Sequence, residues 1–259
     1  MNVTDTELDL AARLRAACTA GPIAPFASDH GIDIEGAYRI QNINTEHAIH
    51  AQGRVIVGRK IGLTSPAVQA QLGVDQPDFG ILFSDMAVPH GASTSTKGLV
   101  QPRIEAEIAF GMRCDIEDPD ITEAQLVKSI DWVAAALEIV DSRIAEWRIG
   151  IVETIADNAS SGRFVVGEKQ SMLPSTDVVS CLMTLWRDGE IVSQGTGKDC
   201  LGSPLVSTLW LARKMIEVGR PLRAGEIVLS GALGPMVSVK AGETYSASIA
   251  GIGVVQVGF

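Results

Sequence analysis

The segment Pro102-Arg103-Ile104-Glu105-Ala106-Glu107-Ile108-Ala109-Phe110 constrains this chain more than any other. Ile104, Ala106, Ile108 and Phe110 fall at alternate positions, and a period of two is the signature of a β-strand with one apolar face. Glu105 and Glu107 then share the opposite face. Two carboxylates held side by side repel each other, and one takes up a proton unless water or a cation lies between them. An exposed strand face is the ordinary reading of such a pattern. A second acidic position alters the balance. Glu138 stands in Ala-Leu-Glu-Ile-Val-Asp-Ser-Arg, an otherwise apolar stretch, and a buried carboxylate there needs a partner. Three Glu oxygens with open positions suit Mg²⁺ or Mn²⁺, hard cations that prefer oxygen and retain waters for a substrate to displace. Zinc is disfavoured, because neither His nor Cys accompanies the trio.

Around that strand the chain reads as an α+β protein. Asp5 or Thr6 is placed to cap a first helix carrying Leu8, Leu10, Ala11, Leu14 and Ala17, which stops near Gly21-Pro22. A second helix starts after Asp33 and runs through Tyr38, Ile40 and Ile43 towards Gln52-Gly53. From Arg54 onwards, short β-branched runs are punctuated by Gly, Pro, Asp and Ser. Helical spacing returns over residues 122–136, with Ile139 and Val140 following as a strand. Residues 163–167, 178–186 and 190–193 read as further strands, with Arg187-Asp188-Gly189 as a hairpin turn. Residues 204–218 form the last helix, and the tail is β-rich with a turn at Ala241-Gly242-Glu243. Residues 1–53 thus form an N-terminal helical part and residues 54–259 a β-rich catalytic domain, in one continuous unit around a curled mixed sheet.

Composition excludes several classes of partner. The formal charge is −10, and no cluster of Lys and Arg exceeds two neighbours, so nucleic acid is a poor fit. If the substrate is also an anion, something local must reverse the field, and a bound metal does so economically. No apolar run is long enough for a membrane span. The N-terminus is polar and acidic, unlike a signal peptide, so the cytoplasm is the expected compartment. Cys18, Cys114, Cys181 and Cys200 are widely separated and read as reduced, mostly buried thiols. Gly195-Thr196-Gly197-Lys198 lacks the spacing of a phosphate loop, and no Gly-x-Ser-x-Gly elbow or Cys/His pair is present.

Two further residues carry chemistry. In Gly58-Arg59-Lys60-Ile61-Gly62-Leu63-Thr64-Ser65, Lys60 lies between a β-branched strand and a glycine loop. Pointing inwards, it would be desolvated and its pKa lowered towards proton transfer; pointing outwards, it is a surface lysine. Gln76-Pro77-Asp78-Phe79-Gly80 places Asp78 in a tight turn, where an Asp is usually a turn former.

Four stretches together resemble the hydratase and decarboxylase branch of the fumarylacetoacetate hydrolase superfamily: GRKIGLTSPAVQAQLGVDQPDFGILFSDM, QPRIEAEIAF, ALEIVDSRIAEW with TIADNASSGRFVVG, and LSGALGPMVSVKAGE. The likeness covers nearly the whole chain. It implies a mixed, highly curled β-roll core with an N-terminal helical part, assembled as a homo-oligomer. It also implies that Glu105, Glu107 and Glu138 hold Mg²⁺ or Mn²⁺, that Lys60 and Asp78 are acid/base residues, and that Ser160 and Ser161 help bind a substrate carboxylate. The implied activity is metal-dependent hydration of a small 2-oxo acid, 2-hydroxypenta-2,4-dienoate, to 4-hydroxy-2-oxopentanoate in meta-cleavage catabolism of aromatic compounds. Neither a nucleotide nor an organic cofactor is required. The alternatives are decarboxylation of 2-oxohex-3-enedioate and a non-catalytic partner subunit of such an enzyme. Related decarboxylases usually lack the acidic residue of Gln-Pro-Asp-Phe-Gly, which favours hydration. Association with a related decarboxylase or a pathway aldolase is a further expectation. Lys198 is placed either to meet a second substrate carboxylate or to face solvent.

Overall fold

A computed structural model describes residues 3–65, 69 and 76–259. Its N-terminal part contains helices α1 (Asp5–Ala20), α2 (Ala27–His30) and α3 (Ile34–Gln52). Thr4, rather than Asp5 or Thr6, caps α1: its hydroxyl accepts the Glu7 N–H while the Glu7 carboxylate accepts the Thr4 N–H, a reciprocal capping box. Asp33 caps α3, which ends at Gly53 in the left-handed conformation (φ 67°) that glycine adopts without a Cβ clash. Leu10, Leu14, Phe26 and Ile40 form a small core with Ile144 and Ile155. Gln41 ties α3 to the rest, donating to the carbonyls of Phe79 (2.8 Å) and Ile155 (3.1 Å), while Tyr38 stacks on Phe79 with ring centroids 4.7 Å apart.

The following elements are β1 (Ile56–Gly62), β2 (Asp78–Phe83), β3 (Pro102–Met112), α4 (Glu123–Ser129), β4 (Ile130–Asp141), α5 (Ile151–Ala156), β5 (Ser161–Val166) and β6 (Gln170–Ser171). Then come β7 (Leu182–Arg187), β8 (Glu190–Thr196), α6 (Pro204–Glu217), β9 (Ile227–Ala232), β10 (Val237–Ser238), β11 (Thr244–Ile249) and β12 (Gly253–Gly258). Among the described residues, the larger sheet has the order β2-β1-β9-β3-β4-β5, with β10 added on β3 and β6 on β4. Only β1 and β9 run parallel in that path, so the sheet is mixed. It curls until its ends meet: the chain just after β2 bridges β5 at Ala87 and Phe164, and the Val88 N–H donates to the Phe164 carbonyl at 2.8 Å. The smaller sheet, β12-β11-β7-β8, turns Met183, Leu185, Tyr245, Ala247, Val255 and Val257 into the common core. The curled mixed α+β architecture is the one expected.

Several local expectations are corrected. The helix begun at residue 122 ends at Ser129, and residues 130–136 already belong to β4. Val133-Ala134-Ala135-Ala136-Leu137 favours helix by propensity, but it is buried and paired with β3 on one edge and with β5 and β6 on the other, and tertiary pairing overrides so weak a preference. A strand covered on both faces also loses its polar alternation. Residues 178–181 are not strand, because the Asp177 carboxylate accepts the N–H groups of Val179 and Ser180 and turns the chain there. β8 extends to Thr196, beyond the expected 190–193. The β7–β8 turn falls on Asp188 and Gly189, both with positive φ (52° and 87°), as a two-residue hairpin requires. Asp78 opens β2 and is fully buried, so it is no turn former. All four cysteines are free, yet only Cys181 and Cys200 are buried; Cys18 and Cys114 are exposed. Among the described residues, no helix is long and apolar enough to cross a membrane.

Candidate metal and proton-transfer site

Register places the site. β3 and β4 pair antiparallel with Glu105 directly opposite Glu138, and directly opposed residues project to the same face. Glu107 follows two residues after Glu105 on that face. Across the other edge of β3, Ala109 pairs with Leu229 of β9, and Leu229 in turn pairs with Lys60 of β1. Lys60 pairs with Gly80, and Gly62 pairs with Asp78. One concave face therefore carries three glutamates, a lysine and an aspartate drawn from four strands.

The three glutamates each offer a carboxylate oxygen within 4.8 Å of the others, a grouping that can hold a metal ion. Glu107 and Glu138 are fully buried and Glu105 half-buried. The Glu107 Oε2 accepts the Gly231 N–H at 2.7 Å, whereas its Oε1 has no hydrogen-bond partner among the described residues. The Glu138 Oε1 also lacks one, although Lys60 Nζ stands 3.2 Å away at ion-pair distance. Burying an uncompensated carboxylate costs several kcal/mol. Orphaned oxygens on an all-carboxylate donor set fit a hard divalent cation.

The protonation pattern agrees. Burial, then the Glu138 charge, pushes Glu105 up to about 7. Burial followed by Glu138 and Glu105 raises Glu107 well above the usual carboxylate range. Burial lifts Asp78 to about 6, with Lys60 opposing the rise. Lys60 departs from expectation. Its burial does favour the neutral amine, but Glu138, Asp78, Glu105 and Glu107 together outweigh burial, and its pKa is raised.

Small residues make room for these groups. A Cβ on Gly62 would fall 2.2 Å from Asp78 Oδ1 and 3.6 Å from Lys60 Nζ. A Cβ on Gly80 would meet the Asn158 carbonyl oxygen at 2.4 Å and Ser161 Oγ at 2.6 Å. Ser161 thus lies against the strand position opposite Lys60, its hydroxyl donating to the Asn158 carbonyl at 2.7 Å. Ser160 is buried but turned towards Asp157, with Oγ 3.5 Å from the carboxylate. Lys198 is exposed on the loop after β8 and lies near Asp177.

Three residues here were not singled out from the sequence: Arg143, Asp157 and Asn158. Arg143 and Asp157 form a buried ion pair, and the Asn158 amide bonds both backbone groups of Ile81 on β2. The only available signal was an Asp-Ser-Arg closing an apolar strand. A cleft of about 360 Å³, bounded by α1, α3, Arg143, Asp157 and Ser161, lies behind this segment; the three glutamates do not line it.

Comparison with known proteins agrees with this geometry. The family model described as fumarylacetoacetate (FAA) hydrolase C-terminal matches residues 47–258. A protein of Dechloromonas aromatica (strain RCB) named 2-keto-4-pentenoate hydratase 2 is 52% identical over 248 residues, covering 95% of this chain and 94% of its own. One of Burkholderia vietnamiensis (strain G4 / LMG 22486), named 2-keto-4-pentenoate hydratase, is 50% identical over 252 residues and 96% of each chain. Among solved structures, 4-oxalocrotonate decarboxylase from Pseudomonas putida G7, complexed with magnesium and adipate, superposes with a TM-score of 0.93 at 31% identity over 100% of both chains. With its model matched across most of the length and the curled sheet shared in full, the chain belongs to the fumarylacetoacetate hydrolase family.

Proposed function

We propose that this protein is a hydro-lyase that adds water to 2-hydroxypenta-2,4-dienoate (2-oxopent-4-enoate) and forms 4-hydroxy-2-oxopentanoate. The observation that carries the chemistry is the concave face itself, where the Glu105, Glu107 and Glu138 carboxylates stand beside buried Lys60 and Asp78. The substrate follows from relatives that are half identical over nearly the full chain and bear the name of that hydratase. Glu105, Glu107 and Glu138 are the proposed ligands of one divalent cation, Mg²⁺ or Mn²⁺. When bound, that cation would supply Lewis acidity to the carboxylate and 2-oxygen of a 2-oxo acid.

The residues of the chain do the rest. Protonation of the dienol at C5, with loss of the 2-hydroxyl proton, gives the conjugated 2-oxo-3-ene. Addition of hydroxide equivalent at C4 and a proton at C3 completes the uptake of one water. Lys60 and Asp78 divide these transfers. Asp78, with a pKa of about 6, can exchange a proton near neutral pH, and Lys60 holds its proton against the surrounding carboxylates. Ser160 and Ser161 are the proposed helpers in binding the substrate carboxylate, a reading supported by Ser161 lying at the level of Lys60. Exposed Leu182, Ile191 and Val254 on the smaller sheet support a homo-oligomer, and that face would also serve a related decarboxylase or pathway aldolase. The four free cysteines fit a reducing compartment, and the cytoplasm is the proposed one.

The likeness to 4-oxalocrotonate decarboxylase keeps one second reading in play, decarboxylation of 2-oxohex-3-enedioate. One assay separates them. Freshly made 2-hydroxypenta-2,4-dienoate is followed by ultraviolet absorbance with and without Mg²⁺ or Mn²⁺, and the products are identified. Metal-dependent formation of 4-hydroxy-2-oxopentanoate is expected. Release of carbon dioxide from 2-oxohex-3-enedioate without hydration would decide for the decarboxylase, and inertness to both for a non-catalytic partner.

A further inference from the structure

Arg143 follows β4 by two residues, and its side chain is only 12% exposed. Its carbonyl accepts the Ile23 N–H at 2.8 Å, but among the described residues every hydrogen bond its side chain donates goes to one short stretch of chain. Its Nε meets the Asp157 carboxylate, one terminal nitrogen donates to the Asp157 carbonyl, and the other donates to the Ser161 carbonyl at 2.9 Å. Its backbone N–H donates to the second Asp157 oxygen at 2.9 Å. These bonds bracket Asn158, Ala159 and Ser160, three consecutive non-glycine residues with φ of 56°, 51° and 52°. L-residues avoid that left-handed region, and a run of three persists only where the surroundings over-determine it.

The segment so held is applied to β2. The Asn158 side chain accepts the Ile81 N–H at 2.7 Å and donates to the Ile81 carbonyl at 3.0 Å, taking the place of a neighbouring strand at the open edge of the sheet. Its carbonyl and the Ser161 hydroxyl press on Gly80, the register partner of Lys60. Three residues before Ile81 on the same strand is Asp78.

We propose that Arg143 is a positioning residue, which fixes β2 at Gly80 and Ile81 through Asp157 and the left-handed segment and thereby sets Asp78 against Lys60. Its effect on rate rests on the hydration reading above; its effect on β2 does not. A guanidinium is required because three differently placed acceptors are met by one planar fork, which an ammonium cannot reproduce.

The test uses the full chain loaded with Mn²⁺ and three variants: Arg143→Ala, Arg143→Lys, and Asn158→Ala, which leaves the ion pair intact should the first two fail to fold. Amide hydrogen exchange is read at Ile81 and across β3, together with Mn²⁺ affinity, kcat and KM. Exchange at Ile81 is expected to quicken by at least about tenfold in each variant that folds. The kcat should fall by about 100-fold, as for an ångström-scale misplacement of a reacting group. Mn²⁺ affinity and exchange across β3 should stay as in the wild type. Slow exchange at Ile81 overturns the proposal, as does wild-type kcat, or a loss of rate matched by equal losses of Mn²⁺ affinity and of protection throughout β3. If the wild type does not hydrate the dienoate, the hydration reading fails alone, and exchange at Ile81 still decides the positioning role.

Discussion

Lys60 Nζ lies 3.2 Å from Glu138 Oε1, and both side chains are buried. One glutamate thus serves two neighbours, the acidic cluster on β3 and β4 and the lysine on β1. The two proposed halves of the site, ligation and proton transfer, meet at this contact.

Glu138→Gln keeps the size and one oxygen but removes the charge. Mn²⁺ affinity should fall on the order of 100-fold or more, the scale on which even supporting groups of a metal site act. Metal-dependent turnover should vanish while the circular dichroism spectrum stays native. Full activity of this variant in metal-free buffer would refute the metal site.

Lys60→Ala should separate the halves in the opposite sense. The three glutamates remain, so calorimetry should still detect Mn²⁺ and, in its presence, oxalate as a 2-oxo acid mimic. Turnover should fall by about 10²–10⁴-fold, the usual contribution of a positioned acid or base. Wild-type turnover would remove Lys60 from the mechanism.

Stability should depend on pH with a sign set by the raised carboxylates. Glu105 rises from an ordinary 4.5 to about 7 in the folded, metal-free protein. A folded-state pKa above the unfolded one means that folding favours the protonated form. Its stabilising contribution is complete below pH 4.5 and is lost as pH climbs through about 7. Protein stripped with a chelator should therefore melt at a lower temperature at pH 8 than at pH 5. Because ligands must ionise to bind metal, added Mg²⁺ should restore most stability at the higher pH and release protons on binding. A chelated protein that melts higher at pH 8 than at pH 5 would contradict this assignment.

How much of this was legible depends on the range of each interaction. Glu105 and Glu107 were readable because strand alternation is local, and Glu138 because a charge in an apolar run is conspicuous. The helix–strand boundary at Ser129 was hidden by alanines that a buried strand also needs, where β3 and β5 press from both sides. Asp78 was misread because Pro77 and Gly80 imitate turn chemistry; what makes it a strand residue is its pairing with Gly62, a partner distant in the sequence. The direction of the Lys60 shift required knowing that four carboxylates converge on it from three other strands. Arg143, Asp157 and Asn158 left little beyond the Asp-Ser-Arg that closes an apolar run, since the bonds that join them, and the left-handed backbone at Ala159 and Ser160, are set by tertiary contacts rather than by residue type.

Gly62 offers the sharpest test of the packing around Lys60 and Asp78, the proposed proton-transfer pair. It lies in regular strand, so its backbone alone would accept alanine. What forbids the methyl group is Asp78 Oδ1, 2.2 Å from where a Cβ would stand, with Lys60 Nζ behind it at 3.6 Å. The Asp78 carboxylate is short and buried, so it cannot swing away freely, and the strands must separate or the carboxylate must rotate. Gly62→Ala should therefore lose about 1–3 kcal/mol in denaturant unfolding, as overpacked interiors do. It should lose more than this in function, with kcat down about 100-fold for a displacement near an ångström. Mn²⁺ affinity should hold, because Glu105, Glu107 and Glu138 reside on β3 and β4. A variant that unfolds more easily yet turns over at the wild-type rate would show that the Asp78 carboxylate can leave its place without consequence, and Asp78 would then have no part in moving protons.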